Sequence, residues 1–270
     1  MTEATKEIAW QVPSHRAHEF KARASTYSIC IPVINEGSRI ITQLERMAKL
    51  GVPADLIIGD GGSTDGSTEL QRLSKLQVRS LLVKTGPGRL SAQLRMLFAY
   101  SIEQGYQGMV TLDGNGKDGV EAIPNFLEAL QQDYDFVQGS RFLPGGAEHN
   151  TPLDRRLGAQ LVHAPLISLA AGFRYTDTTN GFRAFSTRFL LDPTVQPFRD
   201  VFDTYNLHYY LSIKAARLGY RVKELPVTRT YPESGPVPSK ISGLSGKLAI
   251  MKLLLLAAAG HYDPPRNAMK

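Results

Sequence analysis

Apolar and polar positions along this chain alternate between two rhythms, short apolar runs and longer stretches with a helical period. Residues 27–34 (YSICIPVI) read as a buried strand, and a helix follows from about Ser38, with Ile40, Leu44, Met47 and Leu50 on one face and Gly51 as its stop. Residues 56–59 form a second short strand that delivers Asp60 into the glycine-rich turn GGSTDGS. A third strand at 78–83 runs into Gly86-Pro87-Gly88, and Leu90, Leu94, Leu97, Phe98 and Ile102 then line one helix face. Strands alternating with helices of this length predict a mainly parallel sheet with right-handed crossovers.

The pattern continues with the apolar run Met109–Leu112, which stops abruptly in Asp113, Gly114, Asn115, Gly116, Lys117 and Asp118. A helix with Ile123, Phe126, Leu127 and Leu130 inward leads to a strand at 136–139, ending in Ser140 and Arg141. Residues 144–152 read as a loop, and 155–171 as a helix kinked at Pro165. Residues 177–187 (DTTNGFRAFST) are polar and turn-rich. A helix carrying Leu207, Leu211, Ala215 and Leu218 precedes a last strand at 221–230. The Pro, Gly and Ser cluster at 231–246 reads as a linker or lid, and an apolar helix at about 244–259 carries Lys247 and Lys252. The expected divisions are an N-terminal extension (1–26), a catalytic domain (27–243) and a C-terminal helix and tail (244–270).

Composition narrows the class. The 270 residues suffice for one substantial core, and 42% hydrophobic with 21% charged residues argues against disorder. A net charge of +6 favours an anionic partner, but no aromatic-interleaved basic run singles out nucleic acid, and none is expected. The lone Cys30 lies in an apolar strand, which excludes a disulfide framework and points to a reducing, cytoplasmic compartment. The first 25 residues lack a signal-peptide core, and the apolar stretch at 250–260 is shorter than the roughly 18 to 20 residues a membrane span requires. A cytoplasmic protein, either free or peripheral on a membrane surface, is therefore expected, with a homo-oligomer left open.

Candidate chemistry concentrates at strand ends. In open α/β sheets ligands sit beyond the carboxyl ends of the strands. A diphosphate leaving group needs positive charge there, from a metal, a lysine or both. Asp113 and Asn115 offer oxygens to a divalent ion, and Lys117 offers charge directly; the plainer reading is a good Asp-Gly-Asn turn. Asp60 with its glycines suits a nucleotide, against a helix N-cap by Ser63 or Asp65. Arg141 and Arg183 are fork-shaped donors suited to phosphate, against structural salt bridges. No histidine pair has zinc-ligand spacing, and His208 reads as a packing residue. Neither G-x-G-x-x-G nor a P-loop occurs.

The motifs IPVINEG (31–37), IIGDGGSTDGS (57–67), GRLSAQLRMLFAY (88–100), VTLDGNGKDGVEAIP (110–124), VQGSRF (137–142), NGFRAFS (180–186) and ARLGYRVKELPVT (216–228), in this order, resemble family-two glycosyltransferases. The branch they are most similar to is the dolichol- or polyprenyl-phosphate mannose synthases. The resemblance implies the glycosyltransferase A fold, a single Rossmann-like nucleotide-binding α/β domain. It further implies a GDP- or UDP-sugar donor, Mg2+ or Mn2+, and a lipid-phosphate acceptor. By this likeness Pro32, Asn35, Glu36 and Asp60 line the nucleoside pocket, with Gly88 and Arg89 also on the donor side. Asp113 matches the first acid of the Asp-x-Asp motif, and Glu121 a carboxylate that follows it. Arg141 matches the arginine associated with the acceptor phosphate, where Asp177 and Arg183 are also expected. Ser239 and Lys240 resemble the Ser-Lys of a mobile loop near the diphosphate.

Two departures matter. Asn115 replaces the usual second acid, and Lys117 stands where the branch often has Gln, so weak metal binding is expected, with Lys117 sharing the metal's electrostatic task. Arg229 is a candidate for an arginine that the branch places before its mobile loop. The expected reaction is inverting sugar transfer to a polyprenyl-phosphate-type acceptor. The same transfer to a soluble hydroxyl, with Asp177, Asp203 or His208 as base, and an inactive nucleotide-binding protein are the alternatives.

Overall fold

The structure, a computed structural model, describes residues 10–233 and 243–265. In chain order the elements are β1 (His15–Glu19), β2 (Tyr27–Val33), α1 (Ser38–Leu50), β3 (Asp55–Asp60), α2 (Leu70–Lys75), β4 (Val78–Lys84), α3 (Leu90–Glu103) and β5 (Gly108–Thr111). They continue with α4 (Ile123–Gln131), β6 (Phe136–Ser140), β7 (Ala147–His149), α5 (Leu153–Gly158), α6 (Ala164–Ala171), β8 (Arg183–Ser186) and α7 (Thr187–Leu190). The last are α8 (Asn206–Arg217), β9 (Val222–Pro226), β10 (Thr228–Thr230) and α9 (Gly243–Ala258).

One 8-stranded sheet has the order β1-β4-β3-β2-β5-β8-β6-β9, and β10 pairs with β7 in a second, 2-stranded sheet. The main sheet is parallel except that β1 runs against β4 and β8 runs against both β5 and β6. From β2 the chain steps outward through β3 and β4, then returns to place β5 on the other side. The order therefore reverses between β2 and β5, and a crevice opens beyond their carboxyl ends. Asn35 and Asp113 sit at that opening.

The period of two along the strands divides the core. Ile29, Ile31, Val33, Ile58 and Val110 face one layer with Ile40, Leu44, Ile123 and Phe126, while Cys30, Ile57 and Met109 face the other with Leu94, Leu97, Phe98, Leu207 and Leu211. In α1 the expected face is buried, apart from Leu50 at 42% exposure in the last turn. Gly51 ends that helix at φ 60°, a left-handed cap.

Several expectations need correction. The segment read as an N-terminal extension with no clean period contributes edge strand β1, whose sequence HRAHE is mostly exposed and carries no apolar alternation. The loop read at 144–152 contains β7, and the polar segment 177–187 contains β8, deep in the sheet. The strand read at 221–230 is divided into β9 and β10, which belong to different sheets. The kink expected at Pro165 takes the form of a π-helical turn over Ala159–His163 joining α5 to α6. Proline lacks the N–H that an α-helical turn would use, and the wider turn absorbs the loss.

Candidate active site

Side-chain oxygens hold the backbone N–H groups of the turn after β5. Asp118 Oδ2 accepts the Asp113 N–H at 3.2 Å, Asn115 Oδ1 accepts the Lys117 N–H at 3.3 Å, and Gln43 Oε1 accepts the Gly116 N–H at 2.9 Å. Gly116 adopts φ 74°, a conformation that glycine tolerates without strain. Gly181 lets the neighbouring segment approach, since a Cβ there would lie 2.6 Å from Asp113 Oδ1.

Arg229 closes this turn from the far end of the chain. Its Nη2 donates to Asp113 Oδ2 at 2.9 Å and its Nη1 donates to Asp118 Oδ1. The backbones are joined as well: Gly119 N–H donates to Thr228 O at 2.8 Å and Thr230 N–H to Lys117 O at 2.9 Å. Burial alone would raise the Asp113 pKa, but Arg229 and then Lys117 outweigh it and hold the carboxyl below its ordinary value. Asp118, with no exposed side chain, is pushed up by burial despite Arg229. Burial, with Arg229 beside it, lowers the Lys117 ammonium.

Cations gather around Tyr231, which is 5% exposed. Lys117 Nζ lies 4.8 Å from its ring centroid, and the Arg155 and Arg229 guanidinium carbons lie 5.8 and 5.9 Å away. Burial raises the phenol, yet Arg229, Lys117, Arg155 and Arg141 together bring its pKa below the ordinary value. Burial raises the Tyr205 phenol, with Asp113 acting in the same direction and Arg89 and Arg155 against it.

Arg141, just past β6, is held by Asp177 in a side-on pair, Nε to Oδ2 at 2.6 Å and Nη2 to Oδ1 at 3.1 Å; Nη2 also donates to Thr179 Oγ1 at 2.7 Å. Glu224 on β9 accepts the N–H groups of Thr176 and Asp177 and so fixes the segment that presents the carboxylate. Burial raises Asp177, but Arg141 more than compensates, and the pair stays ionised.

On the donor side, the turn after β3 is laced to the one after β2. Asn35, at φ 52°, accepts the Thr64 N–H at 2.8 Å and donates its own N–H to Ser63 Oγ at 3.0 Å. Asp65 Oδ2 accepts the Gly37 N–H at 2.8 Å. Asp60, 3% exposed, accepts from Gly62 N, Ser63 N, Ser63 Oγ and Thr68 Oγ1, so its carboxylate shapes the glycine-rich turn. Neither Ser63 nor Asp65 caps a helix; α2 starts at Leu70 without a side-chain cap. Glu36 pairs with Arg39 at 2.8 Å. Pro32 lies on β2 beside β3, and its carbonyl would meet a Cβ at Gly114 at 3.1 Å. Gly88, at φ 98°, leads into Arg89, whose N–H is held by Asp203.

The structure thus brings Asp113, Asn115, Lys117 and Arg141 to one region and adds Arg229, Asp118, Tyr231, Arg155 and Tyr205. Arg183 is a correction. It is 1% exposed and donates to the carbonyls of Asn180, Thr178 and His208 and to Ser212 Oγ, so its fork fastens β8 to α8 and is not offered to a phosphate. Glu121, matched above to a family carboxylate, has a side chain 60% exposed and pairs with Arg46 at 2.7 Å. Of the expected bases, Asp177 is paired, Asp203 holds Arg89, and burial lowers His208 well below the ordinary imidazole value. The Ser239 and Lys240 expectation lies outside the described residues.

The residues present do not fit a divalent cation as arranged. Asp113 Oδ2 already accepts from Arg229 and, at 3.2 Å, from Asn115 Nδ2. The Lys117 N–H fixes the Asn115 amide with its oxygen turned to the backbone. Among the described residues no group of three or more His, Cys, Asp or Glu side chains is placed to hold a metal.

Comparison with known proteins identifies the family. The chain is 30% identical over 216 residues to the undecaprenyl-phosphate mannosyltransferase of Micrococcus luteus, covering 79% of this chain and 86% of that one. The chain belongs to the polyprenyl-phosphate mannosyltransferase-like glycosyltransferases. This glycosyltransferase is also 26% identical over 247 residues to the polyprenol monophosphomannose synthase of Mycolicibacterium smegmatis, covering 90% and 91% of the two chains. No protein-family model matches it. Its glycosyltransferase A fold is shared with glucosyl-3-phosphoglycerate synthase from Mycobacterium tuberculosis, at a TM-score of 0.61 and 18% identity over 90% of this chain and 83% of that one. Another structure of that synthase holds Mn2+, UDP and glucosyl-3-phosphoglycerate, at a TM-score of 0.60 and 17% identity over 90% and 82% of the two chains.

Proposed function

We propose that this glycosyltransferase moves a sugar, with inversion, from a GDP- or UDP-sugar to a polyprenyl phosphate. The observation that carries this is the convergence of Lys117, Arg155, Arg229 and Arg141 on Tyr231, directly beyond the strand that ends in Asp113. Two phosphate-bearing groups meet in such a reaction, and their charges need fixed cations. The acceptor is a phosphomonoester with a second pKa near 6, so it is largely ionised at neutral pH and attacks without a protein base. One phosphate oxygen bonds to the anomeric carbon from the face opposite the nucleotide. The bond from that carbon to the diphosphate breaks, and the electron pair leaves with the diphosphate. Lys117 receives the leaving charge, with Arg229 held behind it by Asp113 and Asp118, while Arg141, locked by Asp177, and Arg155 orient the acceptor. Asp177, one of the candidate bases, is already paired with Arg141, which favours a phosphate nucleophile over a hydroxyl one. Mg2+ or Mn2+ would bind here only on a rearranged Asp113.

The reading extends to the membrane surface. Leu153, Leu161, Leu169 and Leu248 are 68%, 69%, 83% and 60% exposed, an unusual display for long aliphatic side chains. They lie on α5, the π-turn, α6 and α9, which packs against α6 and α8 while Lys247 pairs with Asp154 at 2.7 Å. Arg155 and Arg156 share α5 with Leu153, and Lys247 shares α9 with Leu248, a composition suited to the face of an anionic bilayer. Among the described residues no helix is long and apolar enough to cross a membrane. Product analysis with a panel of nucleotide sugars, with and without polyprenyl phosphate, tests the reading.

A further inference from the structure

A protein holds Mg2+ or Mn2+ through one or two carboxylates, completed by water and substrate phosphates. In the turn after β5 the two carboxylates, Asp113 and Asp118, are matched by the cations of Lys117 and Arg229. Arg229 is no mobile surface side chain, since it is 7% exposed and its backbone forms a bridge with Asp118. Its two nitrogens have different surroundings. Nη1 is bound to Asp118, which has no exposed side chain and needs a permanent counter-ion in the interior. Nη2 is bound to Asp113, which is 27% exposed and faces the crevice. The first contact anchors the guanidinium, and the second places positive charge where a metal would neutralise the carboxylate.

We propose that Arg229 is the resident counter-ion of Asp113, so that guanidinium and divalent cation compete for one carboxylate and the nucleotide-free enzyme has almost no affinity for Mg2+ or Mn2+. Asn115 completes the arrangement, because its amide nitrogen lies against Asp113 where a second acid would have added charge. This proposal concerns the free protein and does not depend on the identity of donor or acceptor.

Mn2+ binding to the full chain without nucleotide, followed by the loss of the free-ion electron paramagnetic resonance signal, tests it. The wild-type chain should bind Mn2+ no tighter than about 1 mM, because no net negative charge faces the ion. Arg229→Gln should tighten binding by about tenfold or more, the scale expected for deleting one unit charge a few Å from a partly exposed ion. Because that change leaves Asp118 buried without a partner, the double variant Asp118→Asn with Arg229→Gln should show the same tightening with the fold restored. Adding Asp113→Asn should abolish it. Micromolar Mn2+ binding by the wild-type chain would overturn the proposal whatever the variants do. A folded single or double variant with unchanged Mn2+ affinity would overturn it as well.

Discussion

Arg141 and Asp177 face each other through two parallel bonds, at 2.6 and 3.1 Å, with both side chains almost wholly buried. A lysine cannot reproduce the fork. Arg141→Lys is therefore expected to keep the fold but lose at least about tenfold in transfer to the lipid acceptor, while nucleotide-sugar binding is retained, as expected for a lost bidentate contact. Arg141→Ala should cost ~3–5 kcal/mol in urea unfolding, because Asp177 is left buried and unpaired. Full acceptor turnover by the lysine variant would remove Arg141 from the acceptor side.

Arg183 should behave in the opposite way. Arg183→Met deprives three buried carbonyls of a donor, at a cost on the order of 3 kcal/mol, and leaves the acceptor KM of the surviving folded fraction unchanged. A raised acceptor KM at unaltered stability would return Arg183 to the phosphate site. The sequence could not distinguish the two arginines, since each follows a strand or turn and each has the donor fork a phosphate needs. What separates them is the company of carbonyls from Thr178, Asn180 and His208 around one and a carboxylate around the other.

The same contrast explains what else was legible. Strands β2, β3 and β5 announce themselves because both faces are buried and their apolar runs end sharply in Asn35, Asp60 and Asp113. Strand β8 hides among polar residues, since only Ala184 and Phe185 supply core, and the guanidinium of Arg183 is satisfied internally. Arg229 reaches Asp113 and Asp118 across 116 and 111 residues, a separation at which no local spacing carries a signal.

Acid should weaken the protein through His208. Burial, reinforced by Arg183 and opposed by Asp113, holds its folded pKa well below the ordinary 6.5, and Nε2 is buried without a partner among the described residues. The unfolded chain takes up the proton first, so stability is full above pH 6.5 and falls on acidification until the folded pKa is reached. The slope from this one group is at most about 1.4 kcal/mol per pH unit. Urea unfolding at pH 7.0 and 5.5 should show the loss, with a smaller contribution in the same direction from His163. His208→Gln should reduce it; an identical pH dependence in that variant would contradict the assignment.

The exposed leucines give a separate expectation. Leu161→Glu with Leu169→Glu should abolish cosedimentation with vesicles rich in anionic lipid while leaving the unfolding midpoint close to wild type, since neither side chain is in the core. Unchanged vesicle binding would place the membrane contact elsewhere.

Mass spectrometry of the organic phase, after incubating the purified chain with GDP- and UDP-sugars and polyprenyl phosphate, addresses sugar transfer to lipid phosphate most directly. The expected product is a polyprenyl phosphate heavier by one sugar residue, formed with release of the nucleoside diphosphate and absent when the lipid is omitted or Lys117 is replaced by Met. Nucleoside diphosphate released with equal speed to a soluble hydroxyl acceptor, and no glycosylated lipid, would contradict it.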